Sequence, residues 1–473
     1  MEQRIKRDIS IINLVADFES QYENGHVEYM SDKTIKELID FYEAENKLDR
    51  AIEVLEVSIE QYPYQSSLML QKARLLLCEN RMEECLQTIY DAENLSPFDR
   101  DLMLLKVKAY SLSKKTKKAR QILETLQSNI VEGEYAVELL IAESYVHQGD
   151  KKYEAMYLCL KKALRIDCSN KEALSRFWDA VDFARKYEDS IYFHKSLIDE
   201  QPYNFLAWYN LGLSYSYSHE YEKAIEALEY SFIINPNFES AYIECAEICL
   251  QQQDYIKALD IYNEMIAKFG QDSDILVSIA SVLISLGKVD QAKVKLHKAL
   301  KLDPYNEEAY FLLGKCFASN GVWYNAINAF YKAIDLDNNR EEYYLELAKA
   351  YAKVEDYNKA TLNFHKAATL ASEDVYYWKE YVCFIIKLGL YDEALELLDE
   401  AEDFTYGAEL LYCRAITYFF KKKKKAGLEA LAEALEEDFE KYSIIYSLAP
   451  ELEIDSEINA MIKYYEKEFQ EYL

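Results

Sequence analysis

Residues Ala207 to Pro236 and Ser273 to Pro304 carry one pattern twice. Trp208, Leu211, Gly212, Tyr215, Tyr221, Ala224, Leu228, Ser231 and Pro236 stand opposite Leu276, Ile279, Ala280, Leu283, Val289, Ala292, Leu296, Ala299 and Pro304. The offset from Trp208 to Leu276 is 68 residues, two periods of 34, and Tyr242, Cys245, Ala246, Cys249, Tyr255, Ala258, Tyr262 and Met265 fill the same steps between them. A fixed period of this length constrains the fold more than any composition does, because one such unit cannot bury its apolar face alone and must stack on copies of itself. Within a unit, apolar residues at i, i+3 and i+7, such as Trp208, Leu211 and Tyr215, predict a first helix. The small residue beside them (Gly212, Ala246, Ala280, Gly314, Ala348) lets a second helix come close. Ala224, Ala258, Ala292, Ala326, Ala360 and Ala394 supply the matching hollow on that second helix, and Pro202, Pro236 and Pro304 end it. With only 11 Gly and 6 Pro in 473 residues, there is little turn chemistry for a sheet-rich class.

Seven units keep strict register over 171–408, starting at 171, 205, 239, 273, 307, 341 and 375. Looser units fill 32–134, starting near 32, 66 and 100. A unit over 135–170 carries two extra residues around GDKKY, between Tyr145 and Ala163. Segment 128–134, SNIVEGE, is a candidate bend or a slightly long loop. A last unit over 409–441 is one residue short in its turn. Residues 1–31 are expected to form an amphipathic capping helix with Ile5, Ile9, Ile12 and Val15 on its apolar face. Residues 442–473 are expected to cap the other end, with Ser456 as N-cap and Ile458, Met461, Ile462, Tyr465 and Phe469 facing inward.

The pattern large-x-x-Leu-Gly/Ala-x-x-Tyr, then Ala-x-x-x-Phe/Tyr-x-x-Ala, then Pro, at period 34, resembles the tetratricopeptide repeat (TPR). The resemblance implies an all-α fold, a right-handed α-α superhelical solenoid of about twelve helix pairs with helical end caps. It also implies a concave binding groove lined by steps 2, 5, 9, 12 and 13 of each first helix. Carried onto this chain, those steps give Tyr209, Leu213, Tyr217, Ile243, Leu250, Val277, Ile284 and Phe311 in the central units, an apolar strip beyond the repeat's own core needs. Further along they give Lys315, Lys349, Lys353, Lys379, Lys387 and Lys421, which ends at the run Lys421 to Lys425. Two readings of these lysines stand: a positive stripe that steers acidic segments, or solvated charges paired with neighbouring carboxylates. The Lys/Asn/Arg clamp with which some family members hold a chaperone's C-terminal carboxylate is not complete in any trio of units. Arg414 and Lys379 are isolated fragments of it.

Composition narrows the function. Lys plus Arg is 54 and Asp plus Glu is 84, a formal charge of −30 that repels phosphate backbones, so no nucleic-acid partner is expected. Nine scattered cysteines without a C-x-x-C pair suit a reducing compartment and offer no zinc spacing. No window is apolar enough to span a bilayer, and the N-terminal stretch reads as a helix rather than a secretory signal, so a cytoplasmic protein is expected. Cys245 and Cys249 fall on core steps, and His194 stands where other units place Leu, Tyr or Phe, so all three read as packing residues. Many of the 42 tyrosines likewise occupy recurring core steps. With repeats filling the chain, neither catalytic residues nor a cofactor or metal is expected. The expected function is a non-enzymatic scaffold that binds a protein or peptide, apolar in the centre and acidic toward its end. A structural subunit of a larger assembly, or a helical-repeat RNA binder, are the alternatives.

Overall fold

The computed structural model describes the backbone of residues 2–45, 47–127 and 133–472, with side chains throughout that set except at 2–10, 134, 468 and 470–472. Among the described residues the regular structure is entirely helical. The chain forms two compact units, Met1–Ile248 and Cys249–Leu473. In each, consecutive helices pack as hairpins, as Phe205–Tyr217 does with Tyr221–Ile234 and Glu307–Ser319 with Trp323–Leu336.

The hairpins depend on one backbone device. After the helix Phe205–Tyr217, His219 turns left-handed (φ 60°), and the Glu220 N–H donates to the Tyr215 carbonyl at 2.9 Å. That bond satisfies an end carbonyl and reverses the chain within three residues. Left-handed residues recur at Asn80, Lys114, Lys151, Arg185, His219, Gln253, Gly287, Gly321, Glu355, Gly389 and Lys422. Every step between them is 34 residues except Lys114 to Lys151, which is 37, and Gly389 to Lys422, which is 33.

Those two departures relocate irregularities read from the sequence. The Lys152 N–H donates to the His147 carbonyl at 2.8 Å, so the GDKKY turn has ordinary length. The extra residues instead lengthen the start of the helix Glu134–Gly149, which has 16 residues where Phe205–Tyr217 has 13. Tyr145 is not the large residue before the turn; His147 holds that place. At the other end, the Lys423 N–H reaches the Tyr418 carbonyl at 2.9 Å, so the last turn is also of full length. The missing residue lies upstream, where the helix Tyr391–Glu402 has 12 residues against 14 in Tyr221–Ile234, and the last unit starts at Ala408. The candidate bend at 128–134 lies outside the described residues except for Gly133 and the backbone of 134.

Both ends of the chain differ in detail from expectation. On the helix Glu2–Glu23, Val15 and Phe18 are buried, and Ile11, Leu14 and Tyr22 pack with them on a core containing Ile35, Leu38 and Tyr42. Ile12 is 58% exposed, because the seam runs along 11, 14, 15, 18 and 22; the side chains of Ile5 and Ile9 lie outside the described residues. The helix Ser456–Tyr472 is capped by Asp455, not Ser456: the Asp455 carboxylate accepts the Glu457 N–H at 2.9 Å. Ile458 and Ile462 are buried on its inner face, and the Phe469 ring lies 5.4 Å from Phe439.

Close approach inside a hairpin needs the small residue that the sequence supplies. A Cβ on Gly212 would stand 2.7 Å from Leu228 Cγ and 3.2 Å from the Ala224 carbonyl, and one on Gly314 would stand 2.4 Å from the Phe330 ring. Ala224, Ala292, Ala326, Ala360 and Ala394 have no exposed surface, nor does Phe330. Phe330 cannot step aside without opening a void, since interiors are packed to crystal-like density. Gly314→Ala is therefore expected to destabilise the second unit by about 1–3 kcal/mol, the usual size of an overpacking strain. The measurement is the urea midpoint followed by circular dichroism, and an unchanged midpoint would contradict the close-approach account.

Candidate functional site

Lys349 and Lys353 leave the helix Glu341–Lys353 at steps 9 and 13, and Lys379 and Lys387 leave Val375–Lys387 at steps 5 and 13. All four line one cleft of about 570 Å³ in the second unit. Its apolar wall is Tyr357, Phe364, Phe384 and Leu388, with Ile444 and Leu448 contributed by the short helix Ser443–Leu448. The Lys349 ammonium lies 3.1 Å from Glu346 and 3.8 Å from Glu380, and Lys379 lies 3.3 Å from Glu380. Burial works against the Lys349 charge, but Glu346 and Glu380 outweigh it and raise its pKa, so the ammonium stays charged. Lys353 sits 5.9 Å over the Trp323 ring. Among the described residues neither Lys353 nor Lys387 has a carboxylate within 4 Å. Lys349 and Lys379 are thus paired with carboxylates, and among the described residues Lys353 and Lys387 are not.

The outer two lysines do not join them. Lys315 is exposed, with its ammonium 5.3 Å over the Phe311 ring. Lys421 caps the helix Ala408–Phe420 and is ion-paired with Asp392. Because the last unit starts one residue earlier than the sequence suggested, step 13 is Phe420, and Lys421 points to its neighbour's second helix. Arg414, the isolated clamp fragment, is held by Asp399 at 2.7 Å and Glu402 at 2.6 Å.

The apolar strip divides as well. Leu213, Val277 and Phe311 are buried, at 3%, 8% and 4% exposure, which corrects the expectation that the repeat's core does not use them. Phe311 shows why: its ring centre lies 4.6 Å from that of Tyr343 on the next unit's first helix, with the two rings tilted, so a step-5 side chain serves the packing between neighbouring first helices. Tyr217 and Ile243 are exposed, and Tyr209, Leu250 and Ile284 are half-buried. Around Tyr209 the surface is not purely apolar. Burial raises the Tyr209 hydroxyl pKa, and Glu244 and Glu247 raise it further.

Sequence reasoning missed three contributors to the lysine cleft. Ile444, Ser447 and Leu448 belong to no repeat, so no period announced them. Cys383, also on the wall, was legible: it is step 9 of its unit, the step that yields Lys349 in the preceding one. A second cleft, of about 770 Å³, lies in the first unit between Arg74, Lys108, Glu138, Tyr145 and Glu172. Its charges are largely spent on each other. Lys108 sits 2.8 Å from Glu172, and that carboxylate also accepts from the Tyr145 hydroxyl at 3.1 Å.

Comparison with known proteins decides the family. Tetratricopeptide-repeat models match residues 205–238 and 278–341, and the YpiA-like C-terminal tetratricopeptide-repeat model matches 342–401. The chain is a tetratricopeptide-repeat protein. It is 26% identical over 239 residues to anaphase-promoting complex subunit 3 of Schizosaccharomyces pombe, covering 50% of this chain and 35% of that one. It is 23% identical over 266 residues to the TPR repeat-containing protein YpiA of Bacillus subtilis, covering 56% and 62%. The chain therefore spans less than two thirds of either relative. A crystal structure of a tetratricopeptide repeat protein from Parabacteroides merdae matches 52% of this chain and 96% of its own at 16% identity, with a TM-score of 0.40. Proteins of this family generally serve protein interaction or assembly rather than catalysis. No helix among the described residues of this TPR protein is long and apolar enough to cross a membrane.

The residues weighed as chemistry lie in the core. Cys245 and Cys249 have no exposed surface. His194 is fully buried against the Phe177 ring at 5.0 Å, and its Nδ1–H donates to the Ser190 carbonyl at 2.9 Å. Burial lowers its pKa to about 4, with Lys161 acting the same way and the Ser190 bond opposing. The unfolded imidazole titrates near 6.5, so the unfolded chain binds more protons between those values. Stability that His194 supports is complete above pH 6.5 and falls toward pH 4, by up to about 3 kcal/mol. Other units carry leucine at this step, as at Leu228 and Leu296. His194→Leu is therefore expected to flatten the loss of stability between pH 6.5 and 5, read from urea midpoints. Equal slopes in both proteins would refute a neutral buried imidazole.

Proposed function

We propose that this TPR protein is a non-enzymatic interaction scaffold whose lysine-lined cleft holds an acidic segment of a partner protein. The observation that carries the reading is the convergence of Lys349, Lys353, Lys379 and Lys387 on one cleft in a chain of net charge −30. Over most of such a surface an acidic chain is repelled, and a local positive site both attracts it and fixes its register. Tyr357, Phe364 and Phe384 beside the lysines favour a segment in which an apolar side chain is flanked by Asp or Glu. Exposed Tyr217 and Ile243 in the first unit are proposed as further contacts for the partner. A cytoplasmic setting belongs to the same reading and is supported by nine free cysteines.

A second reading, a subunit of a larger assembly, is favoured by the similarity to a protein named as a subunit of the anaphase-promoting complex. The two differ in what they require of the cleft. Fluorescence anisotropy with a panel of labelled acidic peptides, each carrying one central Phe or Leu, measures the cleft directly. Wild type is expected to bind such peptides more weakly as salt rises, and Lys349→Glu/Lys353→Glu/Lys387→Glu is expected to lose at least about tenfold in affinity, roughly 1.4 kcal/mol. Identical binding by the two proteins would sink the cleft reading. Partners that co-purify equally with both would then favour an assembly role through other surfaces.

A further inference from the structure

Cys383 does not stand alone on the cleft wall. The helix Ala408–Phe420 brings Cys413 Sγ to 3.9 Å from Cys383 Sγ, behind the wall, where Cys413 has no exposed surface. Cys383 faces the cleft at 8% exposure, with Lys379 and Lys387 on its own helix lining the same space. We propose that Cys383 is a thiol–disulfide exchange site for small anionic disulfides such as oxidised glutathione, with Cys413 as the resolving thiol.

Three features meet here. The cleft, about 570 Å³, admits a tripeptide arm, and Lys353 and Lys387, which have no carboxylate partner among the described residues, complement the carboxylates of glutathione. The two sulfurs are already in contact at 3.9 Å, which places each thiol within reach of the other. The two thiols are also unequal. Hydrogen bonding with the Cys413 thiol holds Cys383 below the usual thiol range, against its burial and the Glu380 charge, with Lys379 and Lys387 acting in the same direction as the hydrogen bond. Cys413 is pushed well above that range by the same hydrogen bond and by its burial. The nucleophile in such exchange is a thiolate that can reach the disulfide, so Cys383, on the cleft wall where Cys413 has no exposed surface, reacts first.

The exchange balances in two steps. The Cys383 thiolate, having given its proton to solvent, attacks one sulfur of glutathione disulfide; the new bond is Cys383–S–S–glutathione, and one glutathione thiolate leaves and takes up a proton. Cys413 then loses its proton and attacks the Cys383 sulfur, expelling the second glutathione as a thiol. Two protein thiols are oxidised to one disulfide, and one glutathione disulfide is reduced to two thiols. The inference rests on the geometry of the cleft and not on its proposed acidic partner.

Peptide-mapping mass spectrometry of the full-length protein, reduced and then incubated with oxidised glutathione, tests it. Wild type is expected to yield a peptide joined through Cys383 and Cys413, Cys413→Ser to stop at glutathione on Cys383, and Cys383→Ser to give neither product. Lys379→Glu/Lys387→Glu keeps both thiols and guards against loss of folding in the cysteine variants. It is expected to slow modification by glutathione disulfide about tenfold while leaving the rate with neutral hydroxyethyl disulfide within about twofold. Modification confined to exposed Cys78, or equal rates for wild type and the lysine variant with the anionic disulfide, would overturn the proposal.

Discussion

The structure depends on how closely the two helices of each hairpin approach. Where the first helix places Gly212 or Gly314, the second places Leu228 or Phe330 so near that a single extra carbon would collide. That approach brings a large apolar side chain down onto the opposite backbone and leaves it no exposed surface, as at Leu228 and Phe330. Burying a side chain of that size contributes roughly 1.5–3 kcal/mol, and the arrangement recurs every 34 residues. The stability of each unit is thus a sum of similar local terms, joined by the packing of each first helix on the next.

The hairpin turn sets direction where close approach sets distance. From the helix Ser66–Cys78 onward, one left-handed residue after each first helix fixes where the second helix begins, and eight of these residues are not glycine. The backbone accepts that strain, on the order of 1 kcal/mol at each site, because the returning N–H and the packed helices hold it in place. Since the turn is invariant, length changes are driven elsewhere. The chain absorbs them at the start of Glu134–Gly149 and near the end of Tyr391–Glu402, and keeps its turns intact. The second of these shifts moves Lys421 out of line with the lysines before it and onto Asp392.

Cationic, apolar and thiol groups therefore share one cleft for a geometric reason. Steps 5, 9 and 13 of neighbouring first helices project to the same side, so Lys349, Lys353, Lys379, Cys383 and Lys387 converge without being neighbours in sequence. Their charges differ in availability because Glu346 and Glu380 occupy the same face. The short helix Ser443–Leu448 closes one side and narrows what the cleft admits.

The period alone determined the class of fold, the helix pairs, the small residues at the crossings and the core character of Cys245, Cys249 and His194. Each of these follows from residues within one unit, where helical spacing converts sequence directly into a buried face. Tertiary structure decided the rest. Whether Leu213, Val277 and Phe311 are surface or core depends on what the next first helix lays against them, and Tyr343 packed on Phe311 is not written in the unit that carries Phe311. Which lysines are paired is decided by carboxylates beside them on their own helix and, for Lys349, by Glu380 of the next unit as well, and which register the last unit keeps is decided by a helix shortened before it begins. Contacts between units carry no periodic signature of their own, so only the folded chain shows that the lysines of two repeats, a helix outside the repeats and a pair of thiols meet in one place.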